Sequence, residues 1–229
     1  MDFEYLFELL CGGVVKGSIY ALIALGYTMV YGIIQLINFA HGEVYMTGAF
    51  VALIVSGVLT LVGHSGLSVL VLAAVVAVVY AAAYGFTLEK IAYRPLRNAP
   101  RLSPLISAIG ASIFLMNYVQ LAQTPDFLPF PELVPEFEFM EPLVQYVSSV
   151  DMVILVMTAL TMVALTVLIK YTKIGKAMRA TQQDQVMARL VGINVDRVIS
   201  ATFIIGSVLA AIGGVLIASR TGQINTAIG

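Results

Sequence analysis

From Val44 to Leu88 the chain reads VYMTGAFVALIVSGVLTLVGHSGLSVLVLAAVVAVVYAAAYGFTL, 45 residues without an Asp, Glu, Lys or Arg. A helix crosses a lipid core of about 30 Å with about 20 apolar residues. The stretch is therefore too long for one crossing and suited to two. Gly63, His64, Ser65 and Gly66 stand near its middle and supply a turn. Working outward, Gly17–Ala40, Leu102–Pro125, Met152–Ile169 and Val198–Ser219 also lack charged side chains. The expected fold is an all-α polytopic membrane protein, a single transmembrane domain over 1–229. Its six spans are Gly17–Ile37, Val44–Val62, Leu67–Leu88, Leu102–Thr124, Met152–Ile169 and Val198–Ser219.

Composition removes the soluble classes. Charged residues make up 11% of the chain and hydrophobic ones 60%, against about 25% and 45–50% in soluble domains. No basic region precedes the first apolar run, so the start does not read as a cleaved signal.

The sign of the charge sets the threading, because Lys and Arg near span ends stay on the cytoplasmic side. Ten of the 12 basic residues fall in two clusters, Lys90–Arg101 and Lys170–Arg197. The 126–151 stretch carries Asp126, Glu132, Glu136, Glu138, Glu141 and Asp151 and no basic residue. Both clusters are placed inside, the acidic stretch and the N-terminus outside. The two remaining basic residues, Lys16 and Arg220, stand at span ends and are expected to snorkel toward the headgroups.

Soluble-enzyme chemistry finds little footing. His41 and His64 are the only histidines, and His64 has no partner at metal-ligand spacing. No Gly-x-x-x-x-Gly-Lys-Ser/Thr phosphate loop is present. Gly110-Ala111-Ser112 does not continue as a serine-nucleophile motif. The lone Cys11 reads as packing. No catalytic residue, metal or cofactor is expected. Gly206, Ala210, Gly213 and Gly214 give the sixth span a small-residue face suited to close helix packing.

Polarity concentrates in two places. Asn38, His41 and Glu43 lie between the first two spans at the inner end. Such groups are expensive in lipid and belong in a bundle interior, a watery cavity or the inner surface. A plain connecting turn is the competing reading, with Asn38 closing one helix and Glu43 favoured by the N-terminal dipole of the next. The second place is Lys176–Val191, an amphipathic stretch without proline that Gly192 and Asn194 are expected to stop. It would lie on anionic lipid or insert its apolar face into a soluble partner.

The stretch Gly17-Ser18-Ile19-Tyr20-Ala21-Leu22-Ile23-Ala24-Leu25-Gly26-Tyr27-Thr28-Met29-Val30-Tyr31-Gly32, continuing through Ile37-Asn38-Phe39-Ala40-His41-Gly42-Glu43, resembles the LivH-type permeases of bacterial branched-chain amino acid ABC transporters. Ala92-Tyr93-Arg94-Pro95-Leu96-Arg97, Ser107-Ala108-Ile109-Gly110, Gly175-Lys176-Ala177-Met178-Arg179-Ala180 and Leu190-Val191-Gly192-Ile193-Asn194 add to the likeness. The resemblance implies a permease subunit in the bacterial inner membrane that imports leucine, isoleucine and valine. Its implied partners are two cytoplasmic ATP-binding subunits, a second related permease and a periplasmic or extracellular substrate-binding protein. By the same likeness, residues 170–197 look like the loop that docks on the ATPase, with Lys176, Arg179, Met187, Ala188, Leu190 and Gly192 at the contact. The match to the importer pattern Glu-Ala-Ala-x-x-x-Gly is partial: Ala188 and Gly192 fit, while Val186 and Met187 stand where Glu and Ala would be. Permeases of this type continue through further apolar segments, so the chain reads as a shortened form.

Ile37-Asn38-Phe39-Ala40-His41-Gly42 has an echo in Ile224-Asn225-Thr226-Ala227-Ile228-Gly229. Both copies follow spans that the threading runs in opposite directions, as inverted repeats do in many transporters. Tyr27, Tyr31, Asn38, His41, Glu43 and Asn225 are the expected pathway residues. Two other functions fit the same residues: a permease for urea or short amides, and a passive channel narrowed by Asn38, His41 and Glu43.

Overall fold

The computed structural model describes residues 3–97, 99–100, 102–136 and 147–229. Eight helices occur among them. The long ones are α1 (Phe3–Ile34), α2 (His41–Leu61), α3 (Leu67–Leu88), α4 (Leu102–Ala122), α5 (Ser149–Tyr171) and α8 (Val195–Thr221). Each is long and apolar enough to cross a membrane. The short ones are α6 (Lys173–Gln183) and α7 (Gln185–Leu190). The hairpin reading of 44–88 holds: α2 and α3 flank the turn, and Gly63 and Gly66 adopt φ of +90° and +84° there. Those angles suit glycine, which has no Cβ to clash.

The first span departs most from expectation, at both of its ends. Helix α1 begins at Phe3 rather than near Gly17, because charge limits the lipid-facing part of a helix and not its backbone hydrogen bonding. Its end is Ile34, three residues before the expected Ile37. Gln35 closes it with a positive φ of 57° and an amide donating to the Tyr31 carbonyl at 2.8 Å. Asn38, expected to close this helix, instead belongs to the following turn. The acidic residues Asp2, Glu138 and Glu141, and Arg101 of the first basic cluster, lie outside the described residues.

Helix α8 is the most buried span. Lipid tails are as apolar as leucine, so helix association in a membrane relies on close packing. The small-residue face supplies it. A Cβ on Gly48 of α2 would stand 2.7 Å from Ala211 Cα, and one on Gly214 would strike the Tyr45 carbonyl oxygen. Gly26 of α1 meets Gly206, and Gly12 lies beside the Arg220 guanidinium, so α1 and α8 run antiparallel.

Both basic clusters lie at one end of the bundle. Past α3 the chain makes a π turn at Glu89–Tyr93 and a 3-10 turn at Arg94–Leu96. Arg97 then bridges the fully buried Glu89 and Asp196 in the first turn of α8. Ser200 donates to Glu89 at 2.7 Å, and Arg94 stands 3.5 Å from Asp196. At the other end, β1 (Leu128–Pro129) pairs antiparallel with β2 (Gln223–Ile224) and joins the 126–136 stretch to the exit of α8. Arg220 is not a snorkelling side chain. It is largely buried, and its Nε donates to Asp151 Oδ1 at 2.8 Å. Lys16 is exposed.

Candidate functional site: a polar turn inside the bundle

Helix α2 starts well inside the bundle rather than at the rim of its basic end. The His41 ring lies 3.1 Å from where a Gly26 Cβ would stand. Gly26 precedes the end of α1 at Ile34 by roughly 12 Å along the axis. On the opposite face, Ser112 Oγ donates to Glu43 Oε1 at 3.0 Å. Ser112 is roughly 15 Å along α4 from Leu102. Gln35–Ala40 therefore turn back into the bundle, which corrects their expected place at the inner end.

Local chemistry explains why this stretch is a turn. Asn38 Oδ1 accepts from the Ala40 amide at 3.2 Å, a short side-chain loop that competes with helix. The same oxygen accepts from the Tyr93 hydroxyl at 2.7 Å, tying the turn to the segment after α3. Asn38, His41 and Glu43 are all buried. The acid of Glu43 falls in the first turn of α2, where the helix dipole favours negative charge. The connecting-turn reading is thus right about Glu43 and the bundle-interior reading right about its burial. Glu43 Oε2 is buried without a hydrogen-bond partner. His41 Nε2 likewise lacks one of good geometry, although the Ile23 carbonyl is a near neighbour.

A cavity of about 350 Å³ lies against the turn, lined by Tyr20, Ile23, Tyr27, Asn38, Phe39 and His41 among others. Tyr27 meets His41 edge to face, ring centroids 6.0 Å apart. Tyr31 is half exposed and does not line this cavity. Asn225 is half buried and precedes the 3-10 turn Thr226–Ile228.

The two Ile-Asn-x-Ala-x-Gly copies meet. A Cβ on Gly42 would lie 2.6 Å from the Gly229 carbonyl carbon, and one on Gly229 would lie 2.9 Å from Glu43 Oε2. Two turns that leave opposite ends of antiparallel helices thus touch at their final glycines. The sequence echo pointed to the pair, but not to the contact. Sequence reasoning missed Ser112 and Tyr93, whose spacing from residues 38–43 gives no signal.

The expected amphipathic helix at 176–191 is two helices. Asp184 ends α6 in an extended conformation and caps α7, accepting from the Val186 and Met187 amides at 2.7 and 3.0 Å. Gly192 stops α7 with φ of +86°, as expected. Asn194 does not help to stop it: its side chain accepts from the Arg197 amide at 3.0 Å and starts α8. Ala188 is buried, Gln185 donates to the Ile33 carbonyl at 2.8 Å, and Val186, Met187, Leu190 and Val191 are exposed. Lys176 is exposed on α6, and the Arg179 guanidinium bonds the Ile169 carbonyl.

Six apolar helices, a buried polar break and a helical unit at the basic end define a multi-pass membrane protein. Residues 9–229 match the family model described as branched-chain amino acid transport system, permease component, and the chain belongs to that family. It is 47% identical over 232 residues to the high-affinity branched-chain amino acid transport system permease protein LivH of Escherichia coli K12, covering 100% of this chain and 75% of the relative. LivH of Salmonella typhimurium LT2 is 46% identical with the same coverage. BraD, the permease protein so described in Pseudomonas aeruginosa, is 46% identical over 231 residues, 99% of this chain and 75% of the relative. No solved structure matches.

Proposed function

We propose that the chain is the membrane-spanning subunit of an ATP-driven importer in a bacterial inner membrane, carrying leucine, isoleucine and valine. It performs no covalent chemistry. ATP hydrolysis resides on two cytoplasmic subunits, a periplasmic or extracellular binding protein delivers substrate, and a second related permease completes the channel. The observation that carries the reading is the buried polar turn of Asn38, His41 and Glu43 in a chain of this family. An intramembrane break that exposes helix ends and polar side chains next to apolar walls suits a zwitterion with an apolar side chain. We assign Tyr27, Asn38 and His41, which line the 350 Å³ cavity, to the pathway, together with Glu43, Asn225 and Tyr31, which do not line it. The contact of Gly42 with Gly229 supports an inverted repeat centred on this turn.

The basic end supports coupling. Exposed Met187 and Leu190 on α7 offer an apolar face for an ATPase, with Lys176 and Arg179 on the preceding α6, while buried Ala188 and the Gln185 bond to the Ile33 carbonyl hold the segment to the bundle and Gly192 ends it. ATP binding then shifts the permease between outward-open and inward-open states through its differing contact with each.

Labelled leucine should accumulate in proteoliposomes that hold this chain with its partner subunits, binding protein and internal ATP, and labelled urea should not. Urea uptake would favour the amide-permease reading. Leucine entry that ignores ATP would favour a passive channel.

A further inference from the structure

Asp151 and Arg220 join the outer ends of α5 and α8. Asp151 lies in the first turn of α5 and Arg220 in the last turn of α8. Each charge is therefore favoured by its own helix dipole before the two meet. Their side chains are 16% and 18% exposed, so the pair is little screened by solvent.

Elsewhere α5 is seated on one side only: Ile154 and Leu165 are buried in one cluster with Val15, Ile19 and Leu22 of α1 and Leu209 and Leu216 of α8. On the other side, a cavity of about 600 Å³ with apolar walls lies between the outer part of α5 and α3 and α8, lined by Val71, Val75, Met152, Val156 and Leu216 among others. A second, of about 210 Å³, opens between α1, α5 and α6. Apolar walls slide past one another without losing directional bonds, so α5 has room to tilt.

The inner end of α5, by contrast, is welded to α6. Thr172 donates to the Leu168 carbonyl at 2.6 Å and accepts from the Gly175 amide at 3.0 Å. A Cβ at Gly175 would strike the Leu168 and Ile169 carbonyls, so only glycine permits this elbow. The Arg179 guanidinium holds the Ile169 carbonyl across it. Displacing α6 must displace the inner end of α5.

We infer that the Asp151–Arg220 pair is the fulcrum about which α5 tilts when the coupling helices move, so that these two residues position the permease for transport without touching substrate. With the outer end pinned, a shift of α6 becomes rotation of a 23-residue lever against α8. With it free, the same shift is spent on sliding α5 along its apolar neighbours. The inference rests on the assignment of α6 and α7 as the coupling unit.

In proteoliposomes holding the complete transporter, Asp151→Asn and Arg220→Gln should each lower uptake about tenfold, while substrate-stimulated ATP hydrolysis stays within about twofold of wild type. The ratio of ATP hydrolysed to substrate imported then rises, which loss of assembly would not cause. The exchange Asp151→Arg with Arg220→Asp restores the pair but opposes both dipoles, so uptake should recover to within about threefold. Uptake and hydrolysis falling together, or uptake unchanged in either single variant, overturns the fulcrum. Failure of the coupling assignment reads out elsewhere: Met187→Asp would then leave ATPase association at the wild-type level.

Discussion

Glu43 holds a carboxylate oxygen away from water without a partner, a state that costs several kcal/mol in an apolar setting. Its neighbour Asn38 is fully engaged at Oδ1, with the Ala40 amide and the Tyr93 hydroxyl. The two residues therefore differ in kind, Glu43 with one polar atom unsatisfied and Asn38 with its oxygen accepting two hydrogen bonds from the fold. Glu43→Ala should lower leucine uptake while leaving membrane insertion and subunit assembly intact. Uptake equal to wild type would show that the acid serves only the start of α2. Tyr93→Phe removes one buried hydrogen bond and should cost about 1 kcal/mol of stability, read as a lower unfolding temperature in detergent. Gly42→Val drives a branched side chain into Gly229 and should abolish transport more completely than either. An uptake level near wild type in that variant would show that the two turns need not touch.

At the scale of elements, the break between α6 and α7 directs the apolar side chains of α7 outward. A single helix over 176–191 would have continued the direction of α6. Asp184 prevents this by capping α7, and Asp184→Ala should cost about 1 kcal/mol of local stability, seen as faster amide exchange in 185–190. Burying one medium apolar side chain contributes about 1.5–3 kcal/mol, so a small docking face depends on each of its members. Met187→Asp should reduce ATPase association in pull-down and weaken coupled hydrolysis, without altering substrate affinity of the binding protein. If α7 instead lies on lipid, the complex will purify with unchanged stoichiometry.

For the whole molecule, the ion pairs of Arg97 and the β1–β2 pairing sort the connections onto two opposite ends. The basic end is expected to face the cytoplasm. In a Cys11→Ser background, a membrane-impermeant thiol probe added to intact cells should label Phe127→Cys and spare Gln183→Cys, both exposed positions. The reverse pattern would invert the threading and place the coupling helices on the wrong side for ATP.

The amino-acid sequence by itself determined the number of spans, the hairpin at Gly63–Gly66, the small-residue face of α8 and the family, because lipid imposes length and apolarity on every stretch that crosses it. It also marked Asn38, His41 and Glu43 as out of place. Only the tertiary structure decided that the turn lies inside the bundle and that Gly42 meets Gly229. Tertiary contacts likewise brought Ser112 to Glu43 and turned Arg220 to Asp151. These are contacts between residues 69 or more apart in the chain, set by which helices become neighbours. Hydropathy fixes that a segment crosses the membrane and leaves open which neighbour it meets, since any apolar surface satisfies lipid equally well.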